Sequence, residues 1–244
     1  MEGKTVVITG GSSGIGKATA LEFAQQGAKV LITGRRAATL DEVAGMHENI
    51  SSLVADSADP ASAELIIDTV ISKWGQLDVL VNNAGAGANA LLEEISKEKI
   101  NEICALNILA PSLLSAASLP HLRKTKGCII NVSSIAGHMP AKTLSHYGGS
   151  KAALDYMTRV WALELAPDVR VNAVAPGPTD SGALTGMMGL SEEQAKHIED
   201  QERAAIPLGR RGVPEDISHW IVFLAGPSAS WVTGQVIGVD GGLG

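Results

Sequence analysis

Thr5-Val6-Val7-Ile8-Thr9-Gly10-Gly11-Ser12-Ser13-Gly14-Ile15-Gly16, running into Lys17-Ala18-Thr19, is an apolar strand that passes through a glycine-rich turn into a helix. Glycines at 10, 14 and 16 permit a tight turn and let backbone N–H groups approach a ligand, while the helix N-terminus adds partial positive charge. Such a turn suits a phosphate or pyrophosphate, with Gly10, Ser12, Ser13, Gly14, Ile15 and Gly16 as its contacts. The spacing is Gly-x-x-x-Gly-x-Gly, which differs from the Gly-x-Gly-x-x-Gly fingerprint.

The unit repeats along the chain. Short Val/Ile-rich runs near residues 4–9, 29–33, 50–55, 78–82, 127–132, 169–175 and 235–239 alternate with longer helical patterns. Strands that are apolar throughout, each followed by a helix, predict a parallel sheet covered on both faces. The expected fold is therefore α/β, a doubly wound Rossmann arrangement of seven parallel strands, as one domain over residues 1–244. Ligands in such sheets sit outside the carboxyl ends of the strands.

Composition agrees. Of 244 residues, 45% are hydrophobic and 18% charged, enough for one large core. A net charge of −7 argues against a nucleic-acid or anionic-membrane surface, which needs a basic patch. The N-terminus carries an acid and only a short apolar run, so neither a signal peptide nor a spanning segment is read there, and the expected location is cytoplasmic. Cys104 and Cys128 are expected to be buried free thiols, and no histidine or cysteine spacing indicates a metal.

The strand ends supply the candidate ligand contacts. Strand two ends in Gly34-Arg35-Arg36, with no acid at residues 33–38. Two guanidiniums would bind a ribose 2′-phosphate, which favours NADP(H) over NAD(H). After strand three, Asp56 and Ser57 could reach an adenine, or Asp56 or Asp59 could begin the next helix, whose first turn is expected to hold Pro60. After strand four, Asn82-Asn83-Ala84-Gly85 is small enough for a cofactor to lie on the backbone. Asn107, between Leu106 and Ile108, is a mid-helix amide that is either a satisfied core residue or a functional one.

Tyr147 and Lys151 lie one helical turn apart, a phenol beside an ammonium, which favours the phenolate and equips the pair for proton transfer. Together with Thr9-Gly10-x-x-x-Gly14-x-Gly16, Asn82-Asn83-Ala84-Gly85 and Pro176-Gly177, in this order and at these separations, they make the whole chain resemble the short-chain dehydrogenase/reductase family, and within it carbonyl reductases like the 3-oxoacyl carrier-protein reductases. The resemblance implies a catalytic tetrad of Asn107, Ser134, Tyr147 and Lys151. Tyr147 would be the general acid or base and Ser134 would orient the carbonyl. Lys151 would lower the phenol pKa and reach the nicotinamide ribose, and Asn107 would hold a relay water. Pro176, Gly177, Thr179 and Ser181 would face the nicotinamide, with Ser181 standing where the family usually has Thr.

The expected activity is NADPH-dependent interconversion of a ketone or aldehyde and its alcohol. A 3-oxoacyl thioester, free or carrier-bound, is the first substrate, and hydroxysteroid, sugar-derived or xenobiotic carbonyls come behind it. A non-catalytic NADP(H) sensor is the alternative of another class, disfavoured by the complete tetrad. By the same resemblance the chain is expected to form a homotetramer through its last strand and the helices near 97–119 and 146–166.

Residues 180–206 break the strand–helix rhythm and read as a substrate flap, with a helix starting at the Ser191/Gln194 capping box. Ala86, Gly87, Ala88, His138, Met139, Leu144, Leu184, Met187 and Met188 are candidate pocket walls. His138 and His146 are read as packing or solvent-facing. Lys142, Arg210 and Arg211 are either carrier contacts or ordinary surface charges.

Overall fold

A computed structural model describes all 244 residues. Seven strands form one sheet, β1 (Thr5–Thr9), β2 (Lys29–Gly34), β3 (Ile50–Val54), β4 (Val79–Asn82), β5 (Cys128–Val132), β6 (Arg170–Pro176) and β7 (Val236–Val239). All pairings are parallel and the spatial order is β3-β2-β1-β4-β5-β6-β7. Each strand falls within a residue or two of its expected position.

Both faces of the sheet are covered, which explains the continuous apolar strands. Successive side chains point to opposite faces. Val6 and Ile8 join Val30, Ile32, Val79, Val81 and Ile130 against α1 (Gly14–Gln25), α2 (Ala37–Ala44) and α9 (Pro214–Ala225). Val7, Leu31, Leu80 and Ile129 pack on the other side, against α3 (Ser62–Trp74), α5 (Ala110–Thr125) and α6 (Ser145–Leu165). Fully burying an aliphatic side chain of this size contributes about 1.5–3 kcal/mol, so the two layers hold the sheet in register.

Strand order reverses direction between β1 and β4, and the chain stitches this switch point with polar groups. Thr9 Oγ1 accepts from the backbone N–H groups of Asn83 and Ala84, each at 3.0 Å, and Asn83 Nδ2 donates to Thr9 O at 2.8 Å. Below it runs a buried thread. Asn82 Nδ2 donates to Ser115 Oγ (3.1 Å) and Asn131 Oδ1 (2.9 Å), and Asn131 Nδ2 donates to Thr158 Oγ1 (2.8 Å). The thread ties β4 to β5, α5 and α6, the elements that carry the candidate catalytic residues.

α4 (Lys97–Cys104), a wide π turn (Ala105–Leu109) and α5 form one helical run, Lys97–Thr125. It is long and apolar enough to cross a membrane by length and composition alone, and here it flanks the sheet against α3, β4 and β5. Two expectations are corrected in this region and beside it. Cys104 is exposed at the end of α4, with Ile103 taking the inward position, and only Cys128 is buried. Pro60 lies ahead of α3, and Asp59 organises that approach by accepting from Ala61 N at 3.0 Å. The segment from 180 to 206 contains α7 (Ala183–Gly186) and α8 (Glu192–Ala205), and α8 begins at the expected Ser191/Gln194 capping box.

Asn131→Ala would leave the Asn82 amide and the Thr158 hydroxyl short of a partner in a dry interior. We expect a loss of about 2–4 kcal/mol in denaturant-induced unfolding, because buried unsatisfied polar groups are costly.

Candidate active site

The strand ends open onto one cleft of about 1020 Å³, somewhat above the ~300–1,000 Å³ usual for small-molecule sites. Its walls bring together the expected Gly10, Ser12, Ser13, Gly14, Ile15, Gly16, Arg35, Arg36, Asp56, Ser57, Asn83, Ala84, Gly85, Pro176, Gly177, Thr179 and Ser181, together with Ser134, Tyr147 and Lys151. The first of these form a cradle that tolerates no added side chain. A Cβ on Gly16 would stand 2.3 Å from Gly10 O, so the turn closes only with glycine there. Arg35 and Arg36 are exposed beside it, free to meet an anion. Asp56 is also exposed, and its carboxylate accepts from Ala58 N at 3.0 Å, so it shapes its own loop. A dinucleotide fits this lining, with its phosphates at the cradle and its far end at Tyr147.

Tyr147 and Lys151 project from the start of α6, and Ser134 sits where β5 gives way to a short turn, Ile135–Gly137. Ser134 caps that turn by accepting from Ala136 N at 3.2 Å, which orients its side chain. Its hydroxyl is also near enough to the Tyr147 phenol to influence it. Burial pushes the phenol above its usual pKa and the Ser134 hydrogen bond works against that shift. The lowering expected from Lys151 is not what the site shows: desolvation sets an upward shift and Ser134 is the group that opposes it, although the ammonium lies 5.9 Å from the ring centroid.

Lys151 is itself buried and donates to Val132 O at 2.8 Å. Desolvation lowers its pKa from 10.5 to about 8, and the charge of Asp155 acts in the opposite direction. Such a lysine titrates near working pH.

Asn107 occupies the π turn, a helix defect that often accompanies function. Its amide is committed on both sides. Oδ1 accepts from Ala86 N at 2.8 Å, while Nδ2 donates to Ala86 O (2.8 Å) and Ser150 Oγ (2.9 Å). Pro111, four residues on, has no N–H to offer the Asn107 carbonyl, which loses its ordinary α-helical partner. A bound water would therefore meet the carbonyl in preference to the amide.

The expected pocket walls divide. Met139, Leu144, Leu184, Met187 and Met188 line the cleft. Met188 and the Tyr147 ring meet at Gly87, where an added Cβ would stand 2.7 Å from Met188 Sδ and 3.2 Å from Tyr147 Cδ2. Ala86 is buried instead against Ile103 and Leu106. Leu243, Gln201 and Glu202 also line the cleft and had no motif to mark them.

Two of the three cations considered for a carrier are committed internally. Arg210 makes a two-pronged pair with Asp216, at 2.6 and 2.9 Å. Arg211, 4% exposed, lies 2.9–3.2 Å from Asp180, Glu199 and Glu202 and donates to Thr179 O at 3.0 Å. Its ion pairs rest on proximity more than on aligned hydrogen bonds. They fasten α8 to the turn after β6, and only Lys142 stays exposed at the mouth.

Comparison with known proteins follows the same outline. The profile of a family described as Enoyl-(Acyl carrier protein) reductase matches residues 10–244. A 3-oxoacyl-[acyl-carrier-protein] reductase FabG of Thermotoga maritima is 38% identical over 249 residues, covering 100% of this chain and 98% of that protein. Its counterpart in Vibrio cholerae is 33% identical, covering 100% and 98%. Among solved structures, a 3-ketoacyl-(acyl-carrier-protein) reductase of Brucella melitensis complexed with NADH superposes with a TM-score of 0.92 at 32% identity, covering 99% of this chain and 98% of that one.

Gly16→Ala tests the cradle. A methyl group aimed at Gly10 O must open the turn, and we expect dinucleotide affinity to fall by more than about tenfold, the equivalent of ~1.4 kcal/mol, in a fluorescence titration.

Proposed function

The chain belongs to the short-chain dehydrogenase/reductase family and is an oxidoreductase; from that premise we propose that it reduces a ketone or aldehyde with NADPH, or oxidises the alcohol in reverse. The observation that carries this reading is the convergence of Ser134, Tyr147 and Lys151 at one end of a cleft that also holds the glycine-rich cradle, with Asn107 buried behind Gly85 next to Lys151.

When bound, the nicotinamide supplies or accepts the hydride. This chain's residues do the rest. Tyr147 gives its phenolic proton to the carbonyl oxygen as negative charge develops there, acting as general acid. Ser134, beside that phenol, donates to the same oxygen and stabilises the charge. Lys151 keeps a cation beside the phenol, reaches the nicotinamide ribose and passes on the proton that Tyr147 must recover. Asn107 anchors the relay water that connects Lys151 to solvent. Pro176, Gly177, Thr179 and Ser181 bound the nicotinamide side, the Ser181 hydroxyl replacing the usual threonine.

Arg35 and Arg36, with no acid at residues 33–38, support NADP(H) over NAD(H) by charge complementarity with a 2′-phosphate. The Brucella relative's complex with NADH bears on the class of cofactor, and the arginines bear on the choice within it. A 3-oxoacyl thioester remains the first substrate to try, because the Thermotoga and Vibrio relatives are named for that group. Residues 180–206, with Met187 and Met188 lining the cleft, act as the flap that excludes water. Exposed Leu109, Tyr156, Leu163, Trp220, Phe223 and Trp231 lie on α5's approach, α6, α9 and the segment before β7, the faces through which a cytoplasmic homotetramer would assemble.

Two measurements check this reading. Tyr147→Phe removes the transferable proton alone and should abolish turnover while leaving NADPH affinity within about twofold, because the ring and its packing persist. Replacing Arg35 and Arg36 together by Ser should raise KM for NADPH about ten- to a hundredfold, since charge-assisted hydrogen bonds are worth ~1.5–3 kcal/mol, with little effect on NADH.

A further inference from the structure

Asp155 is a buried carboxylate that the mechanism above does not use. It lies one helical turn beyond Lys151 and two beyond Tyr147, on the same face of α6, and its side chain is 2% exposed. Burying a carboxylate is expensive unless partners hold it. Its surroundings come from two elements. From the turn after β5, His138 Nε2 stands 2.7 Å from Asp155 Oδ2, and the Ser133 hydroxyl also approaches. From α6 itself come Lys151 and the exposed Arg159.

Neither carboxylate oxygen has an aligned hydrogen-bond donor, so the group is held by proximity, with His138 Nε2 at 2.7 Å from Oδ2 as its ion-pair partner and the Ser133 hydroxyl beside it. The fit between the two elements is close. A Cβ on Gly137 would stand 2.9 Å from both Asp155 Oδ2 and Ala152 N, which means the turn that begins at Ser134 is pressed directly onto the helix that carries Tyr147 and Lys151. The Ser133 hydroxyl adds a bond to Lys151 O at 3.4 Å.

We propose that His138 and Asp155 are a positioning pair for the reaction: Asp155 sustains the buried Lys151 ammonium, and His138 holds Asp155 in place while clamping the Ser134 turn against α6. Two arguments converge on it. Geometrically, the pair spans the junction between the elements bearing Ser134 and those bearing Tyr147 and Lys151, so it sets their separation. Electrostatically, Asp155 is the charge that opposes the desolvation of Lys151, whose facing groups are otherwise Tyr147, the Asn107 side chain and the Val132 carbonyl. Burial raises the pKa of Asp155 itself, and Ser133, His138 and Arg159 each oppose that shift, favouring the carboxylate beside Lys151. His138 is 41% exposed, so the clamp is reachable from solvent.

This inference rests on the acid–base reading of Tyr147 and Lys151, and the test separates the two. kcat and KM are measured against pH for wild type, Asp155→Asn, His138→Leu and His138→Gln, with NADPH and any carbonyl that the wild type reduces, alongside Tm. Lys151 carries its charge below its pKa of about 8. Asparagine removes the influence that raises that value, so the alkaline limb of kcat must move to lower pH, while KM for NADPH changes by less than about threefold. His138→Leu should lower kcat about tenfold at every pH, the equivalent of one hydrogen bond to a charged group. His138→Gln, which restores a donor, should recover most of that loss.

An unmoved alkaline limb in Asp155→Asn, or a His138→Leu variant with wild-type kcat, overturns the proposal. Should Asp155→Asn fail to fold, Asp155→Ser, which leaves room for a water beside Lys151, must shift the limb in the same direction. Failure of the underlying reading has its own signature, since Tyr147→Phe would then stay active whatever the pH profiles show.

Discussion

A lysine ammonium taken out of water sets the terms for this molecule. Lys151 is 5% exposed, and the free energy lost with its hydration has to be offset by groups held in fixed places. The Val132 carbonyl accepts from it at the end of β5, and Asp155 lies one turn along α6. Those two anchors demand that β5 and α6 keep their spacing, and the Asn82–Asn131–Thr158 thread below them does so. A buried polar network is favourable only when every member has its partners. The cost of burial is also what makes the residue useful, because it brings an amine that would titrate near 10.5 to about 8.

Tyr147 experiences the same environment with the opposite consequence. Burial lifts the phenol's pKa, which favours the protonated form that the proposed role of general acid requires. Ser134 counters that shift, and it stands at the head of a turn pressed onto α6. The acid, its hydrogen-bond partner and the cation therefore come from two elements whose relative position is set by buried polar contacts. Over them, Met188 supplies a flexible apolar cover, and the ion cluster around Arg211 fastens the helix that follows it.

Much of this was legible in the chain. Strands covered on both faces are apolar at every position, so the runs around Val6, Val30, Val79, Ile129 and Val171 could be found without knowing their partners. The cradle and the Tyr147/Lys151 pair were readable because their chemistry depends on short spacings. What stayed hidden depends on distance in three dimensions. Asp155 has no motif, and its meaning comes from His138, 17 residues earlier, reaching it across a turn. Arg211 read as a carrier contact or a surface charge because its three acids are supplied from Asp180, Glu199 and Glu202, on a helix and a turn that only the fold brings round. Cys104 was misplaced because apolar neighbours do not fix the phase of a helix: Ile103 faces in and Cys104 faces out. The lowering of the Tyr147 pKa by Lys151 was expected from proximity alone, whereas desolvation, which no spacing reveals, moves the phenol upward.

The most direct test of the central claim is turnover itself, followed as loss of reduced-nicotinamide absorbance with a panel of carbonyls that includes an acetoacetyl thioester, supplied with NADPH or NADH. The account predicts steady oxidation of NADPH by at least one ketone, at a higher kcat/KM than with NADH. Tight NADPH binding without turnover on any carbonyl would contradict it, leaving the cleft as a nucleotide-binding site and the buried pair of Tyr147 and Lys151 without a reaction.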